Sequence, residues 1–275
     1  MNPYYTPPKT TEINRYLDKA TQLNILIENY RPINQAIWQT IQQKLKINWT
    51  YNSNAIEGST LTYNETTFFL QHGLTVEGKP LKDFLDARNH GEAIDFLQDV
   101  INDNRQISEG LIKEINALLL AGVTHTEALD PNGQRVRKPA TPGKYKNFPN
   151  HVLQLDGTIH HYIDPLQVSG EMEQLCAWID QNIEQLHPII VGAVAHYNFV
   201  RIHPFDDGNG RGARILMNLI FMKRRYSPAV IRNEQRRLYI EALTEADKGN
   251  TEPFIIFVAE SLIQTQNNII AELEK

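Results

Sequence analysis

An imidazole at His203, a carboxylate at Asp207 and two guanidinium groups at Arg211 and Arg214 share one short run, His203-Pro-Phe-Asp-Asp-Gly-Asn-Gly-Arg-Gly-Ala-Arg214. Glycines at 208, 210 and 212 are interleaved with them. These residue types suit work on phosphate. A neutral imidazole can take a proton from a hydroxyl. An aspartate offers a hard oxygen to magnesium, which binds through one or two carboxylates plus substrate phosphates. Arginines hold phosphate oxygens in bidentate fashion without losing charge, and glycines let main-chain amides approach an oxyanion with no Cβ in the way. Together the run points to phosphoryl or nucleotidyl transfer. Read alone, its members say less: His203 is more often a structural histidine, Asp206 a solvated turn residue, and Gly208 or Gly210 turn glycines.

The elements on either side must aim these groups. Upstream, Ile189, Ile190, Ala193, Val194, Tyr197 and Val200 recur at helical spacing. Pro204 lacks an amide and disfavours helical backbone at the residue before it, which puts His203 at a helix exit. Downstream, Ile215, Leu216, Leu219, Ile220 and Met222 form a second apolar stripe, so a new helix opens from about Asn209. Its N-terminus has free amides and the positive end of the helix dipole, an anion site suited to phosphate. Arg211 and Arg214, three apart on the first turn, share a face and reach polyphosphate oxygens together.

The run resembles the signature of the Fic (filamentation induced by cyclic AMP) family, His-x-Phe-x-(Asp/Glu)-Gly-Asn-(Gly/Lys)-Arg-x-x-Arg, at every specified position. The resemblance implies transfer of AMP from ATP to a Ser, Thr or Tyr hydroxyl of a target protein. By the same likeness, His203 is the general base and Asp207 the magnesium ligand. Gly208, Asn209 and Gly210 form the anion hole for the α-phosphate, while Arg211 holds the β-phosphate and Arg214 the γ-phosphate. Phe205 is a buried anchor. Gly212 and Ala213 complete the nucleotide-binding set, with Val152 and Leu153 from the flap stretch and Tyr239 beside the adenine; Asp247 approaches the same pocket. The phosphorylating Doc-type toxins resemble this motif but carry Lys in the slot of Gly210, so the glycine favours AMP transfer.

Far upstream, Ser53-Asn-Ala-Ile-Glu57-Gly58 fits the family's Ser/Thr-x-x-x-Glu-(Gly/Asn) inhibitory pattern. Its place ahead of the core resembles the subgroup with an N-terminal inhibitory helix, here about 47–58. The resemblance implies a pair between Glu57 and Arg214 that occupies the γ-phosphate position and autoinhibits the enzyme; in some relatives the glutamate also serves removal of AMP. The plainer reading is a helix end capped by Gly58 with Glu57 exposed. The stretch from about 139 to 157, with its Pro, Gly and Asp-Gly punctuation and β-prone residues, reads either as the family's hairpin flap, which holds the target segment as an added strand, or as a plain surface hairpin.

The remaining chain supports a mainly α fold: a Fic-type helical core with one β-hairpin flap, preceded by a helical N-terminal region. Residues 1–100 form that region and 101–275 the catalytic core. Helical periodicity runs from 11 to about 47, then through the inhibitory helix, 64–72, 81–101, 108–120 and 253–273. Ser108 opens its helix with a capping-box-like sequence. With 275 residues, 41% of them hydrophobic, the chain can bury a substantial core. A net charge of −5 argues against bulk binding to nucleic acid or anionic membranes. The basic stretches 135–146 and 223–237 border the site; they read as solvated faces that also attract ATP.

Cys176 is the single cysteine and sits in a helical apolar pattern. With no signal-like or membrane-spanning run, a cytoplasmic enzyme is expected, with ATP and a target protein as partners and a homodimer compatible with the resemblance. Two rival readings remain. One is a metal hydrolase built from His151, His160, His161 and Asp164 near His203. The other is a non-catalytic, permanently inhibited ATP-binding regulatory module.

Overall fold

A computed structural model describes residues 3–129, 135–149, 151–153 and 159–275. In chain order the helices are α1 (Thr11–Asn29), α2 (Gln35–Ile56), α3 (Tyr63–His72), α4 (Leu81–Asn102) and α5 (Glu109–Leu119). After four short strands follow α6 (Pro165–Asn182), α7 (Pro188–Ile202), α8 (Asn209–Lys223), α9 (Arg236–Asp247) and α10 (Glu252–Leu273). The mainly α expectation matches this architecture.

The centre is the antiparallel-style hairpin of α7 and α8, linked by the signature loop. α7 is apolar on nearly every side, and a helix of that composition is stable only when packed all round. Ile189, Ile190, Ala193 and Tyr197 of α7 pack with α9 and α10, and Val191, Val194, Phe199 and Ile202 with α6; α8 packs along α7, while α2, α4 and α5 pack against α8. α1 lies along α10, and α3 packs on α2 and α4. At the central crossing the backbones approach closely through Gly192, where an added Cβ would stand 2.4 Å from Phe221 Cε1 and 3.2 Å from Met217 Cγ.

Local signals explain most helix ends. Thr10 caps α1 by accepting from Ile13 N–H, and Ser108 caps α5 by accepting from Leu111 N–H. The reciprocal capping box is found not at Ser108, where the third helical position is Leu111, but at Thr62 and Glu65 of α3, whose C-terminus closes on left-handed Gly73. The expected boundary near residue 47 is absent. The break falls at Tyr30–Asn34, Asn34 caps the next helix, and α2 then runs unbroken to Ile56, so the stretch from 47 onward is its final turns. Asn48, Thr50, Asn52 and Asn54 are weak helix formers, but burial of Trp49, Thr50, Ser53 and Ile56 on neighbouring helices overrides that preference.

The β structure also differs from the expectation. β1 (His125–Leu129) pairs antiparallel with β2 (Arg135–Pro139), and β3 (His151–Leu153) with β4 (Ile159–His161). The first ladder was not foreseen. Within the 139–157 stretch Pro139 ends β2 and residues 151–153 form β3, while its Asp156-Gly157 turn lies outside the described residues. The first half is a brace on the protein: Gly143 N–H donates to Asn116 of α5, and Lys146 N–H to Pro204 O.

The close crossing makes Gly192→Ala a test of this packing. Alanine favours a helix by about 0.5–1 kcal/mol over glycine, but the methyl must displace buried Phe221, and overpacking costs about 1–3 kcal/mol. The urea midpoint is expected to fall with an unchanged slope; an unchanged or higher midpoint would contradict the crossing described.

Candidate active site

The signature loop is held from within and from three other elements. Asn209 accepts from Phe205 N–H at 2.9 Å and donates to Phe205 O at 2.8 Å, closing the loop on itself. Phe205 is buried against Phe199 and Tyr145, the anchor the sequence suggested. Asn116 donates to Asp207 O at 3.0 Å while binding Gly143 N–H. Asp206, expected as a solvated turn residue, is instead largely buried, 2.6 Å from Lys138 Nζ and 2.7 Å from Thr141 Oγ1. That correction has a plain cause: β2 and the brace arrive from more than sixty residues away, out of reach of any local reading.

Gly208, at φ 78°, turns the chain into α8. The first intrahelical bond on this turn is Gly212 N–H to Gly208 O at 2.7 Å, so the amides of Asn209, Gly210 and Arg211 are the helix's orphan donors. The side chain of Asn209 serves the loop; its contribution to an anion hole is therefore its main-chain N–H. Gly212 and Ala213 continue the first turns as helix positions, Ala213 buried in the core.

Both arginines are buried and already hold protein acceptors. Arg211 Nη1 donates to Asp86 Oδ1 of α4 at 2.5 Å, with Nη2 3.4 Å from Asp207 Oδ1. Arg214, 2% exposed, spans the gap to α2. Its Nε donates to Ser53 Oγ at 2.9 Å, and its Nη2 to Ser53 O at 2.9 Å and Glu57 Oε1 at 2.7 Å. Its Nη1 is buried beside Gly210 and has no hydrogen bond among the described residues.

Glu57 is the residue just past α2, followed by left-handed Gly58; Arg236 Nε donates to Ile56 O at 2.9 Å and so covers the helix end with positive charge. Partial burial pushes the Glu57 carboxyl up, but Arg214, with Arg211 and Arg236 behind it, outweighs this and holds it below the usual carboxylate range. Its folded pKa is depressed, so the pair contributes at neutral pH and is lost only as acid brings the pH down through that lowered value. The side chain keeps 42% exposure, and the pair is screened accordingly. The reading of Glu57 as merely exposed is therefore set aside.

Space for that carboxylate depends on Gly210. A Cβ there would lie 2.2 Å from Glu57 Oε1 and 3.3 Å from Arg214 Nη1. The glycine thus accommodates a carboxylate at the place where the helix would accept an anion.

His203 stands at the exit of α7 in left-handed backbone (φ 52°, ψ 59°), its N–H bonded to Phe199 O. Tyr162 stacks on its ring. Asp207 Oδ1 accepts from Gly208 N–H at 2.5 Å. Tyr239, expected beside the adenine, is 3% exposed and packed by Phe254 and Phe257, with its hydroxyl 3.0 Å from His196 Nε2. Burial, with Arg214 nearby, pushes the His196 imidazole well below its ordinary value and keeps it neutral. Asp247 accepts from Tyr197 OH at 3.1 Å. Val152 and Leu153 lie on β3, paired with His160 and Ile159. Asp164, offered as a metal ligand, caps α6 by accepting from Leu166 N–H, and no three His, Cys, Asp or Glu converge among the described residues.

A helix N-terminus with orphan amides, two buried arginines and a histidine at its lip makes an anion-accepting crevice in a mainly helical protein. Comparisons with known proteins agree. Residues 106–221 match the model of the Fic/DOC family. A protein adenylyltransferase Fic from Nematostella vectensis is 32% identical over 271 residues, spanning 96% of this chain and 58% of the relative. One from Drosophila erecta is 31% identical, spanning 78% and 40%. Among solved structures, a Fic domain containing signaling protein from Bacteroides thetaiotaomicron superposes with a TM-score of 0.82 at 28% identity, over 93% of this chain and 97% of that one. Fic-1 from C. elegans, at 24% identity and a TM-score of 0.79, covering 95% of this chain and 73% of that one, shares the fold. The chain belongs to the Fic/DOC family. It spans little more than half of the first curated relative and less of the second.

The contact between Gly210 and Glu57 can be measured by a double-mutant cycle in stability. In a Glu57→Gly background, Gly210→Ala is expected to stabilise by roughly 0.5–1 kcal/mol, the usual helix gain. In the intact protein the same methyl displaces the carboxylate, and the gain should vanish or reverse, giving a coupling of about 0.5–3 kcal/mol. Equal effects in both backgrounds would contradict the contact.

Proposed function

We propose that this protein transfers AMP from ATP to a Ser, Thr or Tyr hydroxyl of a protein, and that it rests in a form inhibited by Glu57. The observation that carries the reading is the Arg214–Glu57 pair at the mouth of α8: a carboxylate occupies the anion site of a helix N-terminus, and among the described residues the neighbouring buried donor, Arg214 Nη1, has no acceptor within hydrogen-bond distance. A triphosphate meets both needs. Its α-phosphate faces the orphan amides, and its outer phosphates take the arginines from Asp86, Ser53 and Glu57.

In the reaction, His203 takes the proton of the acceptor hydroxyl as its oxygen bonds to the α-phosphorus; the bond from that phosphorus to the β-bridging oxygen breaks, and diphosphate leaves. Asp207 suits magnesium: one oxygen of its carboxylate, Oδ1, is engaged by Gly208 N–H and Arg211, and the described residues offer Oδ2 no hydrogen bond. Bound there, the ion would neutralise phosphate charge. The β3–β4 ladder supplies an edge to which a target segment can add as a strand. Among the described residues no helix is long and apolar enough to cross a membrane, and the half-buried Cys176 suits a reducing cytoplasm.

With labelled ATP and a mixture of acceptor proteins, Glu57→Gly is expected to raise AMP transfer by about 5–150-fold, the span of a 1–3 kcal/mol coupling. Adding His203→Ala should abolish the label. Equal labelling by wild type and Glu57→Gly would remove the inhibitory role; no labelling by either would favour a binding module without catalysis.

A further inference from the structure

A histidine that serves as base must hold its ring still, yet His203 sits in left-handed backbone that a non-glycine residue rarely adopts and that persists only where the surroundings impose it. Two residues from distant parts of the chain surround it. Lys146 donates its main-chain N–H to Pro204 O at 2.8 Å and its ammonium to Ile202 O at 3.4 Å, thereby tying the carbonyls on both sides of His203. Tyr162 lies flat on the imidazole, with ring centroids 3.7 Å apart and planes inclined by 18°. The Lys146 ammonium is 5.8 Å from the centre of that same tyrosine ring, within cation–π range.

Both residues are costly choices for mere filling. Lys146 is 2% exposed, and burial pushes its amine down to about 8. Burial pushes the Tyr162 phenol up to about 12, so the ring stays neutral. Tyr162 is also the residue directly after β4, the strand of the second ladder.

We propose that Lys146 and Tyr162 are positioning residues for His203: Lys146 fixes the main chain on both sides of it, Tyr162 fixes the plane of its imidazole, and Tyr162 ties that plane to the ladder on which an acceptor segment docks. The inference rests on the reading of His203 as base. It makes the ladder more than a clamp for the target, because displacement of β4 moves the ring stacked on the base.

The test compares Tyr162→Leu with Tyr162→Phe and Lys146→Met with Lys146→Arg, all in a Glu57→Gly background. Misplacing a base by about an ångström costs on the order of 100-fold, so Tyr162→Leu and Lys146→Met are expected to lower kcat to that degree with KM for ATP unchanged, while Phe and Arg restore it. The imidazole proton resonances of His203, assigned by their loss in His203→Ala, should lie upfield under the tyrosine ring and move downfield in Tyr162→Leu but not in Tyr162→Phe. Unmoved resonances in Tyr162→Leu, or equal kcat in the Leu and Phe variants, would overturn the proposal. The resonances decide it even where Lys146→Met fails to fold. Should Glu57→Gly transfer no AMP, the functional reading fails separately and the resonances still report on the stack.

Discussion

A guanidinium removed from water needs acceptors placed around it, and Arg214 obtains them from a helix that begins nearly two hundred residues earlier in the chain. Its Nε and Nη2 are met by Ser53 and Glu57 at the end of α2, with Tyr239 and His196 closing the space behind. Burying a charge without such partners would cost several kcal/mol. The position of α2 against α8, and the continuation of α2 through weak helix formers, follow from that requirement as much as from the apolar contacts of Trp49 and Ile56. The acceptors that stabilise the fold are also the ones a triphosphate would have to replace.

The opposite side of the site obeys a different rule: nothing in the signature loop is left to find its own shape. Asn209 closes the loop, Asn116 donates to Asp207 O and is itself held by Gly143 N–H of the brace, Lys138 and Thr141 hold Asp206, and Lys146 brackets His203. Donors that are aimed before an anion arrives need no reorganisation on its arrival, which is what gives fixed dipoles their effect in catalysis. Phe205 and the α7–α8 crossing at Gly192 extend the same rigidity into the core.

Much of this was legible in the amino-acid order, and the boundary between legible and hidden is physical. Pro204, Gly208 and the apolar stripes act locally, so the exit of α7, the opening of α8 and the anion site between them could be read from neighbours in sequence. Glu57 was visible through its resemblance to a motif. Asp86, Asn116, Lys146 and Tyr162 were not, because each acts across a large sequence separation and none belongs to a local pattern. Asp206 was misjudged for the same reason: whether an aspartate in a turn is buried depends on which element covers it. The β1–β2 ladder carries no strong alternation, and tertiary pairing selects it.

Most direct for the central claim is a crystal structure of the Glu57→Gly variant with ATP and magnesium. The account predicts the triphosphate at the N-terminus of α8, its α-phosphorus between the amides of residues 209–211 and the His203 imidazole, and Arg214 turned from α2 to phosphate oxygen. A nucleotide bound elsewhere, or Arg214 still satisfied by α2 alone with that helix mouth vacant, would contradict it.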